Sequence, residues 1–151
     1  MVCLAIAAAI VIPVATDNSS DRLRGAAKML AADLEYAQSE SMSHGDNPRL
    51  FVIDADKGGY RITTQSIPTV PITNKVGGDS YVTRYGSGRA AALSGVKVGT
   101  YSLGGDDRIS FGTMGQLDQT AAATIQLVCG PRSIQVSVDP TTGEVSIGTL
   151  Q

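Results

Sequence analysis

His44 is the only histidine of the chain and stands directly before Gly45. A catalytic triad or zinc site built on it would need a nucleophile or a second soft ligand at useful spacing, and nothing near it supplies either. Its expected place is the end of a helix, where an imidazole interacts favourably with the helix dipole. Asp54-Ala55-Asp56-Lys57-Gly58-Gly59 starts like a calcium loop, since alternate Asp residues can aim oxygens at one centre. The third acid and the distal bidentate Glu are missing, and Lys57 would oppose a cation, so the stretch reads as a hairpin turn. Asp106-Asp107 reads the same way. Gly86-Ser87-Gly88-Arg89 is glycine-rich but lacks the Lys-Ser/Thr ending and the helix start that would point N–H groups at a phosphate. Cys3 and Cys129 read as free thiols buried separately, because a bridge would tie an apolar N-terminal run to a β-rich tail. No catalytic, cofactor-binding or metal-ligating residue is therefore assigned. The chain is expected not to be an enzyme and to carry no cofactor.

The elements that position these groups begin with a helix. Leu23, Ala27, Leu30, Leu34, Ala37 and Ser41 recur in steps of four and three, which gathers them on one side of a 3.6-residue helix, while Arg24, Lys28, Glu35 and Gln38 fall elsewhere. The spacing predicts an amphipathic helix over 21–43 that lies on a sheet. Ser19, Ser20 or Asp21 can cap its start, and His44-Gly45 before Pro48 supplies the stop, with Gly45 free to take the left-handed conformation.

Beyond Pro48 the period changes to two. Arg49–Ile53 and Tyr60–Gln65 are rich in β-branched and aromatic residues and form a predicted hairpin across the Asp54–Gly59 turn. Residues 66–78, with Pro68, Pro71 and Gly77-Gly78, read as a crossing loop or irregular edge. Strands are expected at Tyr81–Tyr85, at Val96–Tyr101 and from Arg108, with a loosely patterned stretch over 86–95. Ala123–Val128, Ser133–Val138 and Glu144–Gly148 alternate cleanly between turn residues and close the chain as an antiparallel meander.

A chain of 151 residues can bury a core without metal or disulfide support. Seventeen glycines, six prolines, no Trp and 17% charged residues favour a turn-rich β protein over a helical bundle. A net charge of −2 with scattered arginines leaves no global pull toward nucleic acid or anionic lipid. The apolar run from Val2 to Ile12 stands apart from the rest. As a helix, residues 1–15 span about 22 Å, short of the ~30 Å hydrocarbon core, and no Lys or Arg precedes them as in a secretory signal. The run reads best as the back half of a longer apolar helix whose front lies upstream of Met1.

The order of these pieces resembles that of the type IV pilin-like proteins, specifically the GspH/FimT-type minor pseudopilins. The resemblance rests on an apolar N-terminal helix containing Pro13, on Arg22-Leu23 followed by Ala31-Ala32-Asp33-Leu34-Glu35-Tyr36-Ala37-Gln38-Ser39-Glu40-Ser41, and on Gly45 before a strand. It continues through Ile109-Ser110-Phe111, Gly115-Gln116-Leu117, Thr124-Ile125-Gln126-Leu127 and the closing Val136–Val145. The leader, prepilin cleavage site, Phe-Thr-Leu-Ile-Glu-like opening and early glutamate of that family are not found in this sequence.

The resemblance implies an α+β fold, a long N-terminal α-helix packed on a globular domain of antiparallel β-sheets. Residues 1–43 would be the helix, with 1–15 the apolar anchor or filament part and 21–43 the amphipathic part, and residues 44–151 the β domain. It further implies a membrane-anchored subunit of a type II secretion pseudopilus or a type IV pilus-like filament, in the bacterial inner membrane with the β domain in the periplasm. Its partners would be other pseudopilin or pilin subunits, the inner membrane through the apolar helix, and secreted protein cargo. The competing reading is a membrane-anchored periplasmic β binding module outside any secretion filament, including a DNA-uptake minor pilin, although the acidic pI and unclustered Arg argue against nucleic acid.

Overall fold

The computed structural model describes residues 18–151, so the apolar run and Cys3 lie outside the described residues. Helix α1 spans Ser19–Ser43 and starts two residues ahead of the expected Asp21. Its N-cap is Asn18, and no side chain caps it; the Asn18 carbonyl instead accepts the Arg22 N–H at 3.0 Å. Neither is the stop a left-handed glycine. His44 closes the helix, its backbone N–H donating to the carbonyls of Glu40 at 3.0 Å and Ser41 at 3.3 Å. Gly45 is needed for space, because a Cβ there would lie 2.8 Å from Thr113 Cγ2.

The expected helix face is the buried one. Leu23, Ala27, Leu30, Leu34 and Ala37 are all at most 1% exposed, and Ser41 is fully buried. Ser41 also ties the helix to the strand that follows, since its hydroxyl donates to the Ala37 carbonyl at 2.9 Å and accepts the Arg49 N–H at 2.8 Å. A polar side chain on the inner face is thus satisfied without water.

Eight strands follow: β1 Arg49–Ile53, β2 Gly59–Thr64, β3 Val82–Arg84, β4 Lys97–Ser102, β5 Arg108–Ser110, β6 Ala123–Cys129, β7 Arg132–Val138 and β8 Val145–Ile147. They form two four-stranded antiparallel sheets, ordered β3-β2-β1-β5 and β4-β6-β7-β8. The turn at residues 104–107 therefore carries the chain from the second sheet back to the first. The loosely patterned stretch contains a short 3-10 helix at Gly88–Leu93. In the meander, Ile125 faces Val136 and Leu127 faces Ile134 across the β6–β7 ladder, and all four are buried. Gly130 turns that hairpin at φ 58°, a conformation glycine adopts without steric cost.

One core joins the helix to both sheets, with Leu30 and Leu34 from α1, Phe51, Tyr60 and Ile62 from the first sheet, and Ile125, Leu127 and Val136 from the second. Each such side chain contributes about 1.5–3 kcal/mol when removed from water. The tip of the β1–β2 hairpin clips the two sheets together. Lys57, the only non-glycine at positive φ among the described residues, offers its carbonyl to the Val98 N–H at 2.9 Å. Its Nζ donates to the Gly99 carbonyl at 3.0 Å and lies 5.5 Å from the Tyr101 ring centre.

Candidate functional site

The most concentrated polar chemistry lies under the helix, on Asp33. The residue is buried, because position 33 stands on the flank of the buried face beside Leu30 and Leu34. Oδ2 accepts the Tyr60 hydroxyl at 2.6 Å and the Thr83 hydroxyl at 3.3 Å. Oδ1 accepts the Tyr81 hydroxyl at 2.8 Å and Arg89 Nη1 at 3.1 Å, while Arg89 Nη2 closes the second arm on Oδ2. The donors come from β2, from β3 and its leading residue, and from the 3-10 helix. One helical acid thereby gathers three separate pieces of chain.

The electrostatics suit a fixed support. Burial pushes the hydroxyls of Tyr60, Tyr81 and Tyr85 well above the ordinary phenol value, so they remain protonated and Tyr60 and Tyr81 stay donors. Burial opposes the charge of Arg89, but its bonds to Asp33 outweigh that and hold the guanidinium above its usual value. The Tyr81 ring lies 4.7 Å from Arg89 Cζ and stacks on Tyr36 of the helix at 5.0 Å with 8° between the planes. With its lone pairs occupied on both oxygens, Asp33 has no acceptor left with which to take a proton from a substrate.

Three further contacts fasten the helix. Glu40 is buried, and its carboxylate pairs with Lys75 from the crossing loop and with Arg49 Nη2 at 3.4 Å. Burial alone would raise the Glu40 carboxyl, but Lys75, Arg49 and His44 together hold it below the ordinary value. Gln38 Nε2 donates to the carbonyls of Gly115 at 2.9 Å and Thr142 at 3.1 Å, so one amide grips two loops. Arg22 Nη1 donates to the Ser94 carbonyl at 3.0 Å.

The residues weighed for chemistry occupy structural places. His44 Nδ1 lies 3.0 Å from the Glu40 carbonyl, at the helix end where the sequence puts it, and 3.6 Å from the Glu40 carboxylate. Asp54 pairs with Arg61 and with Arg84 at 3.2 Å, and Asp56 pairs with Arg84 while accepting the Gly58 N–H at 3.0 Å. The two carboxylates are thus spent on arginines. Asp106 and Asp107 flank Arg108 at 3.5 and 3.4 Å. Gly86-Ser87-Gly88 delivers Arg89 to Asp33, and Cys129 is a buried free thiol. Sequence reasoning missed Asp33, Glu40 and Gln38 as anchors. Asp33 had a signal, since at about 100° per residue it falls on the same side as Ala26 and Leu30; Arg89 had none.

The family model described as Type II transport protein GspH matches residues 26–142, which spans α1 from its second turn through the turn before β8. The chain belongs to the GspH family. Two crystal forms of the type IV minor pilin FimU from Pseudomonas aeruginosa (strain PAO1) share the fold of this GspH-family chain. One is 17% identical, with 86% of this chain and 90% of that chain covered and a TM-score of 0.59. The other is 16% identical, covering 84% and 93%, with a TM-score of 0.56. No curated protein matches the sequence. The pilin-like fold expected from the resemblance, a helix packed on antiparallel sheets, is the fold observed. Among the described residues no helix is long and apolar enough to cross a membrane.

Proposed function

We propose that this GspH-family chain is a minor pseudopilin, a structural subunit of a type II secretion pseudopilus that works by packing and without chemistry of its own. The observation that carries this reading is the division of α1 into two faces. One is fastened to the sheets by Leu30, Leu34, Asp33, Gln38 and Glu40, and the other, with Arg24, Lys28, Glu35 and Met42, is left exposed along its length. A helix held this firmly can transmit force between an apolar stalk and a head, and its outer face remains free for neighbours. In this proposal residues 1–15 supply the stalk, residues 21–43 the rest of the helix and residues 44–151 the head. The stalk sits in the bacterial inner membrane and the head in the periplasm. Ile67, Val70 and Val76, all exposed on the crossing loop, give the head an apolar surface for other pilin-like subunits or secreted cargo.

The family description supports secretion, and the likeness to FimU supports a type IV pilus subunit as the second reading. Deletion of the gene separates them. The secretion reading expects exported proteins to be retained in the periplasm with surface pili intact; loss of pili with normal export would overturn it in favour of the pilus.

A further inference from the structure

We infer that the end of the head from which α1 starts lies against an anionic phospholipid bilayer, with Arg24, Lys28 and Lys97 held to lipid phosphates. This contact rests on the stalk reading above; it adds a preference for lipid charge made by the head itself. The net charge of −2 conceals a segregation. Arg49, Arg61, Lys75, Arg84, Arg89 and Arg108 are each paired with an acid. Arg24, Lys28 and Lys97 are exposed and have no ion-pair partner among the described residues.

Three segments bring these cations to one end. Arg22 of α1 donates to the Ser94 carbonyl, and a Cβ on Gly95 would lie 3.7 Å from Cys129 Sγ, so the approach to β4 and the end of β6 both stand beside the start of the helix. Lys97 faces Val128 across the β4–β6 ladder, and exposed Arg132 faces Cys129 across β6–β7, which places both at that end. Against them stand Asp21 and, just before α1 in the sequence, Asp17. Asp54 and Asp56 on the neighbouring hairpin tip are spent on Arg61 and Arg84. Exposed Asp46, Asp139 and Glu144 sit instead beside the C-terminal part of α1, the last two in the loop that Gln38 grips.

Arg24 and Lys28, one turn apart, line a groove of about 490 Å³ with an apolar wall of Ile134, Ile147 and Leu150, Ile147 being 42% exposed. Phosphate beside hydrocarbon is the chemistry of a lipid, and no aromatic ring lines the groove on which a nucleic-acid base could stack. Residues 16–18 separate Ala15 from Ser19. Even fully extended, that link keeps the start of α1 within about 14 Å of Ala15. With the stalk in the bilayer, so short a tether holds the patch at the surface, and exposed charge pairs that are individually weak then suffice.

The full chain added to preformed vesicles tests this, with Cys3→Ala as background, buried Cys129 retained and Thr149→Cys in the groove as reporter. A membrane-impermeant maleimide is expected to label Thr149→Cys at least about fivefold more slowly on vesicles containing phosphatidylglycerol than on phosphatidylcholine alone, the effect of one cation near an anionic surface. High salt should remove the difference. Arg24→Gln with Lys28→Gln should abolish it in a protein that melts like the parent, and Glu144→Cys, at the other end, should label equally on both vesicles. Equal labelling of Thr149→Cys in the two lipids, or a difference that survives the double substitution, would overturn the inference. Lipid-independent labelling with duplex DNA retained by the parent and lost by the double variant would assign the patch to nucleic acid instead. Flotation with phosphatidylcholine vesicles judges the stalk separately: a chain that floats only with the anionic vesicles would remove the stalk and leave the patch.

Discussion

Arg89 meets Asp33 across fifty-six positions of sequence, Nη1 to Oδ1 at 3.1 Å, with the second arm of the guanidinium closing on Oδ2. The acid belongs to the helix and the base to a short 3-10 turn after the first sheet's edge strand. Their pairing decides how the helix sits on that sheet.

Arg89→Met should cost about 2–3 kcal/mol, read as a shift of the urea midpoint. That lies below the ~3–5 kcal/mol for breaking a fully buried pair, because the Arg89 side chain is 36% exposed and screened by solvent while the Asp33 side chain is 5% exposed. Asp33→Asn should cost less in the Arg89→Met background than alone, since the charge left behind is then gone. Equal costs in both backgrounds would mean that the two residues are not coupled.

Leu34→Asp should unfold or aggregate the protein, because it places an unpaired charge at a fully buried position of the helix face. Thermal unfolding is the measurement. A variant that melts like the parent would refute the burial of this face.

Gly143→Ala should be more damaging than Gly130→Ala. Both glycines have positive φ, 69° and 58°, so both substitutions incur backbone strain of about 1–2 kcal/mol. Only at Gly143 would the new Cβ also fall 2.1 Å from Gln38 Nε2 and from the Gly115 carbonyl, while at Gly130 nothing lies within 4 Å. Equal melting temperatures for the two would show that the Gln38 clasp yields freely.

Acid should loosen the Glu40 junction. Its carboxyl is held below the ordinary 4.5 by Lys75, Arg49 and His44 against the opposing effect of burial. A depressed acid contributes stability that is present above its unfolded value and is lost as pH falls through the lower folded value. The stability difference between the parent and Glu40→Gln should therefore be constant near neutral pH and shrink below about pH 4.5. A difference that grows on acidification would contradict this sign.

Removal of residues 1–17 should leave a soluble, folded monomer with the parent's secondary structure by circular dichroism. Every anchor described for α1 starts at or after Arg22, so the described core loses none of them. Insolubility of that fragment would mean that the apolar run belongs to the core.

The sequence by itself determined the elements. A three-and-four spacing of Leu and Ala can bury one face only as a helix, and alternation between turn residues can bury one face only as a strand, so both follow from local geometry. It also marked the Asp54–Gly59 turn and the helix end at His44, where the residue types act on their own backbone neighbours. What only the tertiary structure decided are the long-range polar pairs and the partition of strands. Nothing local distinguishes Arg89 in a glycine-rich turn from a solvated arginine, or predicts that Arg108–Ser110 returns to the first sheet beside β1. Such pairings depend on which segments meet once the core closes, and an acid as buried as Asp33 is tolerated only because donors from four distant residues converge on it there.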